Sequence, residues 1–225
     1  MRKRDFVSLV ALIVIALLIW RLSIDSPNMR EKAKRIQDIF GIPSMEKTKT
    51  AAQKPTAPCS LSRSCPLDHF AFHITSGAAD VVGPKICVEG KVIMSSVLNN
   101  VGPGLNMALV NGQNGTVEKV DCLNYKKLED ILAYLKAIKP GTIVLVASFD
   151  DVTKKMTDEM KEIFVGLGSA SIMSLQYRDS WVFAGASGIG QKSPFEKRAA
   201  NEEETNVYQG WPESVDVGGC FPRKF

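Results

Sequence analysis

Two adjacent carboxylates, Asp150 and Asp151, follow the apolar segment Thr142–Ser148, a position where mixed and parallel sheets often place ligand-binding groups. Paired carboxylates can carry out acid–base chemistry on a bond that they flank. Adjacent side chains on extended backbone point to opposite faces, so these two cannot flank one bond. The pair is therefore typical of a turn or a helix start, with ligand binding by at least one carboxylate as the functional alternative.

A second polar group, the segment RDSW at Arg178–Trp181, stands at the start of another apolar run. Sugars are usually held by bidentate polar contacts and an aromatic face, and Arg178 and Trp181 offer both. An internal ion pair beside a core tryptophan explains the segment equally well. If the two runs are neighbouring strands, Asp150, Asp151, Arg178 and Trp181 converge, and we expect them to bind a polar ligand.

The glycine-rich segment Gly185–Ser193 comes nearest to an enzymatic motif. It fails as a phosphate-binding loop because Gln191 separates the last glycine from the lysine, and Pro194 disfavours the helix that must follow. It also misses the G-x-S-x-G motif, because Ile189 stands where the last glycine belongs. We interpret it as a turn after a core strand, and we expect neither enzymatic activity nor a cofactor.

Composition argues against two further kinds of site. The chain carries a net charge of +4, but residues 1–25 contribute +2 and residues 26–56 contribute +4, which leaves −2 for residues 57–225. Such a nearly neutral domain lacks the basic surface that nucleic acids require. No C-x-x-C pair occurs, and the only histidines are His69 and His73, so no metal site is expected.

The N-terminus combines three basic residues with the apolar run Phe6–Trp20. This pattern predicts a signal peptide or signal anchor in residues 1–25 and places the rest of the chain in the secretory pathway. The run is short for a helix that needs about 20 apolar residues to span a bilayer, which favours cleavage and secretion. Poor cleavage residues after Trp20 keep Golgi membrane retention through residues 6–20 as the alternative.

Residues 26–58 are predicted to form a polar linker or stalk, because Ser44–Pro58 lacks apolar periodicity. A short helix from Pro27 to Gly41 is the one element that this stretch allows. Residues 59–225 have the length of a single globular domain. All five cysteines lie in this domain, and one thiol must stay unpaired while the others allow fifteen pairing frameworks.

The first half of the domain is rich in short apolar runs separated by Gly, Pro and Asn. Strands are predicted at Phe70–Thr75, Lys85–Glu89, Lys91–Met94 and Leu105–Val110. Short strands joined by turns favour antiparallel pairing. Asn114, in the triplet Asn-Gly-Thr beyond the last of these runs, is predicted to lie in a surface turn and to carry an N-linked glycan in a lumenal protein.

The second half changes period. Helical spacing is found at Leu128–Leu135 and again at Met160–Leu167, where Thr157 is a suitable N-cap. The runs Thr142–Ser148 and Trp181–Ala186 have strand length. Alternation of strand and helix predicts right-handed crossovers onto a partly parallel sheet, and therefore a mixed α/β sandwich.

Eight stretches of the domain together resemble one known family. They are Cys59…Cys65-Pro66, His69–Phe72, Ser76–Ala79, Val82–Cys87, Asn99–Gly102, Arg178–Phe183, Lys192–Glu196, and Gly210–Glu213 with Gly219-Cys220. The family is that of pancreatic-derived factor and interleukin-like EMT inducer, which are secreted cytokine-like proteins. The resemblance covers Cys59 to Cys220.

This resemblance implies a fold of two facing β-sheets bordered by short helices, with an antiparallel first half and a strand-helix-strand second half. It implies secretion and signalling through a cell-surface receptor. By matched position it also implies two disulfides, Cys59–Cys87 and Cys65–Cys220, with Cys122 unpaired. Related modules recognise carbohydrate in lumenal proteins, and there the groups that match Asp150, Asp151 and Arg178 lie near a pocket.

Three departures from the family pattern affect these expectations. Ala184 stands where one relative has a cysteine that is associated with covalent dimers, so a covalent dimer is not expected. Pro103 replaces the usual arginine, which removes a charge and an amide donor from the turn after Asn99–Asn100. The segment Cys122–Lys126 is shorter and less acidic and aromatic than the family pattern. The expected partners are a receptor and a glycan.

Overall fold

The computed structural model describes residues 13–15, 17, 58–188 and 190–223. The chain divides into two compact units, Met1–Lys54 and Pro55–Phe225, and of the first unit only residues 13–15 and 17 are described, as helix. The predicted signal or anchor segment, the linker and the short helix from Pro27 lie largely or wholly outside the described residues. Within the described part of the chain, no helix is long and apolar enough to span a membrane.

The second unit contains two facing sheets and two short α-helices. In chain order the elements are β1 (His69–Thr75), β2 (Lys85–Val88), β3 (Lys91–Met94), β4 (Gly104–Asn111), β5 (Val117–Cys122), α1 (Leu128–Lys136), β6 (Thr142–Phe149), α2 (Asp158–Gly166), β7 (Ser180–Ala186), β8 (Phe195–Ala199) and β9 (Asp216–Pro222). One sheet has the strand order β3-β2-β1-β9, and the other has the order β5-β4-β6-β7-β8. The mixed fold of two sheets bordered by short helices is therefore confirmed.

The central strands of the larger sheet are buried on both faces. In β6, Ile143 and Leu145 belong to the core between the two sheets. The alternate residues Val144 and Val146 belong to a second core, which the helices cover. Because side chains alternate along a strand, burial on both faces produces the continuous apolar run of Thr142–Phe149.

The prediction of a partly parallel sheet is wrong. Every paired ladder that is described is antiparallel, including β4 with β6 and β6 with β7. The connection through α2 returns the chain to the end of the sheet that it left, so it is not a crossover. The connection through α1 does cross the sheet, because β5 and β6 both pair antiparallel with β4, which lies between them, and therefore run in the same direction. Alternation of strand and helix had favoured parallel strands, but a helix between two neighbouring antiparallel strands, as α2 between β6 and β7, produces the same alternation.

The helices begin where the sequence predicted. Thr157 is the N-cap of α2, and its hydroxyl accepts a hydrogen bond from the backbone N–H of Met160. Asp158 and Glu159 in the first turn stabilise α2, because their negative charges lie near the positive end of the helix dipole. The glycine-rich segment after β7 leads into the strand β8 and not into a helix, which agrees with its interpretation as a turn.

The structure contains the two disulfides that the family resemblance implied. Cys59 is bonded to Cys87 on β2, and Cys65 is bonded to Cys220 on β9. Cys122 is free and half-buried, and burial raises the pKa of its thiol. The second bridge spans 155 residues and joins the beginning of the domain to its last strand.

Candidate functional site

Antiparallel pairing brings Asp150 and Arg178 together. β6 ends one residue before Asp150, and β7 begins two residues after Arg178. The two strands are neighbours, and the hydroxyl of Ser148 accepts a hydrogen bond from the backbone N–H of Trp181 at 2.8 Å. The end of β6 and the start of β7 therefore meet at one edge of the sheet, and Nε of Arg178 lies 3.9 Å from Oδ1 of Asp150.

Both residues have left-handed backbone conformations. The φ angle is 57° at Asp150 and 61° at Arg178. This region is uncommon for residues other than glycine, and arginine lacks the short side chain that helps aspartate to adopt it. Sparsely populated conformations cost about 1–3 kcal/mol each and are retained where the surroundings determine them, frequently at ligand sites.

Asp151 lies beneath this pair and orders the chain around it. The residue is only 3% exposed. Its Oδ1 accepts hydrogen bonds from the backbone N–H and the hydroxyl of Thr153, at 2.9 and 2.6 Å, and from the backbone N–H of Arg178 at 3.3 Å. Its Oδ2 is buried and has no hydrogen-bond partner among the described residues. Asp151 therefore positions the backbone of Arg178 from below.

Trp181 does not join this cluster, so that part of the sequence prediction is wrong. Its side chain is 0% exposed and stacks on Phe183 with ring centroids 5.7 Å apart. Its indole N–H donates a hydrogen bond to Glu196 at 2.8 Å. Alternation along β7 directs Trp181 and Phe183 into the core beneath the helices, where they pack against Phe164. Proximity in sequence to Arg178 was a misleading signal.

The aromatic residue of the cluster is Trp211. Its indole N–H donates a hydrogen bond to Oδ1 of Asp150 at 3.3 Å, and the guanidinium carbon of Arg178 lies 3.8 Å from its ring centroid. Gly210, with φ of 81°, permits this approach, because a Cβ there would lie 3.1 Å from Nη1 of Arg178. Tyr177 adds a second ring, with its centroid 4.8 Å from the same guanidinium carbon.

Sequence reasoning missed the role of Trp211 because 61 residues separate it from Asp150. The motif Gly210–Glu213 was one of the stretches that carried the family resemblance. A tryptophan flanked by glycine and proline in a loop is an unusual combination, and it was the one available signal. Only the topology of the sheet shows that this loop returns to the end of β6.

An open groove of about 610 Å³ adjoins the cluster. Its lining includes Asn201, Asn206, Tyr208 and Gly210, and Gly210 is also the residue against which Arg178 packs. Asn206 Nδ2 donates to Oδ1 of Asn201, while Oδ1 of Asn206 is buried without a partner among the described residues. Small-molecule sites have volumes of about 300–1,000 Å³, so the groove suits a ligand of one or two ring units.

The charges of the cluster balance. The carboxylates of Asp150 and Asp151 lie beside two cations, Arg178 and Lys154. Nζ of Lys154 lies 3.8 Å from Oδ2 of Asp150. A balanced site has no net attraction for an ion but offers directional donors and acceptors. With the rings of Trp211 and its neighbours, the arrangement is suited to a neutral polar ligand.

Comparison with known proteins identifies the family. The family profile described as Interleukin-like EMT inducer matches residues 103–189. Protein FAM3A of Pongo abelii is 43% identical over 228 residues, which cover 100% of this chain and 98% of that protein. The chain belongs to the FAM3/interleukin-like EMT inducer family. Protein FAM3D of Mus musculus is also 43% identical, over 100% of this chain and 99% of that protein.

The FAM3 family is cytokine-like, and its resemblance to this chain extends through the domain. Protein FAM3C of Danio rerio is 51% identical over 176 residues, which cover 76% of this chain and 78% of that protein. The profile match includes Asp150, Asp151 and Arg178 but ends before Trp211. The site described above therefore combines residues inside and outside the matched segment.

Proposed function

We propose that the protein is a secreted, cytokine-like signalling protein that acts through a cell-surface receptor and recognises carbohydrate at the cluster of Asp150, Asp151, Arg178 and Trp211. The observation that carries the proposal is the contact of one guanidinium with both a carboxylate and an indole, next to Gly210, which lines an open groove. Membership of a cytokine-like family supports the signalling role.

The chemistry of the cluster supports a sugar over other small ligands. Carboxylate and guanidinium groups bind neighbouring hydroxyls in pairs, and aromatic rings pack against the apolar faces of sugar rings. Tyr177 and Tyr208 are 50% and 39% exposed, so aromatic surface is accessible beside the cluster. The balanced charge of Asp150, Asp151 and Arg178 with Lys154 favours a neutral sugar over an anionic one.

Binding, and not catalysis, is the proposed activity. The carboxylate of Asp151 is engaged by Thr153 and by the backbone of Arg178, which leaves Asp150 as the accessible acid of the pair. A single accessible carboxylate beside a cation lacks the second group that glycoside hydrolysis requires. No enzymatic role is therefore assigned to this cluster.

Replacing Arg178 by alanine is expected to weaken glycan or receptor binding by about 5- to 150-fold, which corresponds to roughly 1–3 kcal/mol. The physical reason is that the carboxylate of Asp150 and the ring of Trp211 both lose a contact of the folded site. Thermal unfolding and binding to a glycan array should be measured on the same sample.

A matched control is Arg223→Ala. Arg223 also packs over an aromatic ring, with its guanidinium carbon 4.4 Å from the centroid of Phe70. Arg223 follows Pro222, which pairs with His69 at the start of β1. The cluster lies near the other end of β1, where the backbone N–H of Gly77 donates a hydrogen bond to the carbonyl of Ser148.

An Arg178→Ala protein that is destabilised yet binds normally when folded would show that the cluster is structural.

The second candidate is a lumenal Golgi-anchored carbohydrate-binding protein without catalytic activity. It is favoured by the basic residues before Phe6–Trp20 and by the poor cleavage residues that follow. A shortened N-terminus in protein from the culture medium supports secretion, and full-length protein retained in cells supports the anchor. In both cases no covalent dimer is proposed, because Ala184 on β7 offers no thiol where one relative has a cysteine.

A further inference from the structure

A second groove, of about 670 Å³, opens between the outer strands of the two sheets. β3 is the last strand of one sheet, and β5 is the last strand of the other. The groove is lined mainly by aliphatic side chains, among them Val92, Leu98, Val117 and Val120. Strand edges and exposed aliphatic surface of this kind are usually covered, because they otherwise promote association of chains.

The turn between β4 and β5 forms one wall of this groove and contains Asn114. Gly115 and Thr116, the next two residues, line the groove. Asn114 is exposed, and its Oδ1 accepts a hydrogen bond from the backbone N–H of Thr116 at 2.9 Å. No described residue accepts a hydrogen bond from its Nδ2. The side-chain oxygen is thus held by the turn, while the nitrogen is left accessible.

The turn itself is firmly packed. Gly115 has a φ of 75°, and a Cβ at this position would overlap the ring of Phe70, which belongs to the core between the sheets. Asn111 stabilises the turn further, because its Oδ1 accepts from the backbone N–H groups of Gln113 and Asn114. The direction in which a group attached to Asn114 leaves the protein is therefore well defined.

We propose that Asn114 carries an N-linked oligosaccharide whose first sugars lie along the groove between β3 and β5 and cover both strand edges. The proposal rests on the lumenal location that is part of the proposed function. In the transfer, Nδ2 loses a proton and forms a bond to the anomeric carbon of a lipid-pyrophosphate-linked oligosaccharide, while the bond from that carbon to the pyrophosphate breaks and the lipid pyrophosphate leaves.

The groove suits the glycan as its occupant for two reasons. The attachment nitrogen lies one residue from the groove wall, so the first sugars are held beside the aliphatic side chains. Glu89 and Lys91 also line the groove, so the sugar hydroxyls meet charged partners there, while the apolar faces of the sugar rings lie against Val92 and Leu98. A polar glycan that covers two strand edges also hinders their pairing with another chain.

The test compares Thr116→Ser with Thr116→Ala in the full chain expressed in eukaryotic cells. Serine retains the acceptor triplet and alanine removes it, so the two variants differ by one hydroxyl at an exposed position. We expect the Thr116→Ser protein to be heavier than the Thr116→Ala protein by the mass of a glycan. Asn114→Gln should remove the same mass. Amide hydrogen exchange in Lys91–Met94 and Val117–Cys122 is expected to be slower in the glycosylated forms.

Protein that reaches the lumen without a glycan on Asn114 would overturn the proposal. A glycosylated protein whose exchange in β3 and β5 matches that of Thr116→Ala would overturn the covering role. Self-association of the glycosylated protein through these edges would identify a second copy as the occupant and would also contradict it. Protection of the chain inside microsomes is measured in parallel, so that failure to enter the lumen, which contradicts the proposed function, is distinguished from failure of glycosylation.

Discussion

Replacement of both Cys65 and Cys220 by alanine is expected to lower the free energy of unfolding by about 5 kcal/mol. The bridge closes a loop of 155 residues, and the entropy that a crosslink removes from the unfolded chain increases with loop length. The second pair, Cys59 and Cys87, closes only 28 residues, so its loss should cost about 3.5 kcal/mol. Denaturant unfolding without reductant measures both losses.

The matched control for these variants is Cys122→Ala, which removes a free thiol and should leave the free energy of unfolding nearly unchanged. Non-reducing peptide mapping of the unaltered protein accompanies the measurement. A disulfide between Cys122 and any of the other four cysteines of one molecule would contradict the framework. Equal losses for the long and the short bridge would contradict the entropic explanation of their stability.

Trp181→Ala is expected to destabilise the domain by about 3–5 kcal/mol without weakening sugar binding in the molecules that remain folded. The side chain is fully buried and contacts Phe164 and Phe183, and its indole N–H donates a hydrogen bond to the carboxylate of Glu196. Its removal leaves a large cavity and takes one hydrogen bond from a carboxylate. Thermal or denaturant unfolding measures the loss.

Trp211→Ala is the matched variant, because it removes the same side chain from a half-buried position. It is expected to destabilise the protein less than Trp181→Ala and to reduce sugar binding more. The opposite ranking of the two variants in both measurements would restore Trp181 as the aromatic residue of the site. Trp181→Phe keeps the ring stacking but removes the N–H, which isolates the contribution of the bond to Glu196.

The sequence predicted six of the strands because each is a local signal: an apolar run between turn residues. The three strands that it missed, β5, β8 and β9, are all at the edges of their sheets. Edge strands have one paired side and less burial, so they admit charges, as in Phe195–Ala199, or glycines, as in Asp216–Pro222. Their apolar alternation is correspondingly weak.

The same contrast between local and distant signals explains the site. Asp150 and Arg178 could be placed together because each flanks a recognisable strand. Antiparallel pairing of β6 and β7 brings the end of the first beside the start of the second, whereas the parallel pairing that the strand–helix alternation favoured would have separated them. Trp211 reaches Asp150 through a loop, and no periodicity of the chain predicts that contact.

The most direct test of the central claim is the response of the tryptophan indole N–H resonances to a panel of neutral mono- and disaccharides. Trp211→Phe and Trp181→Phe assign the two signals. At least one sugar is expected to shift the resonance of Trp211, which is bonded to Asp150, while that of Trp181 in the core stays in place, and Arg178→Ala should abolish the response. A sugar that binds the protein without moving the Trp211 resonance, or a panel in which none moves it, would contradict carbohydrate recognition at this cluster.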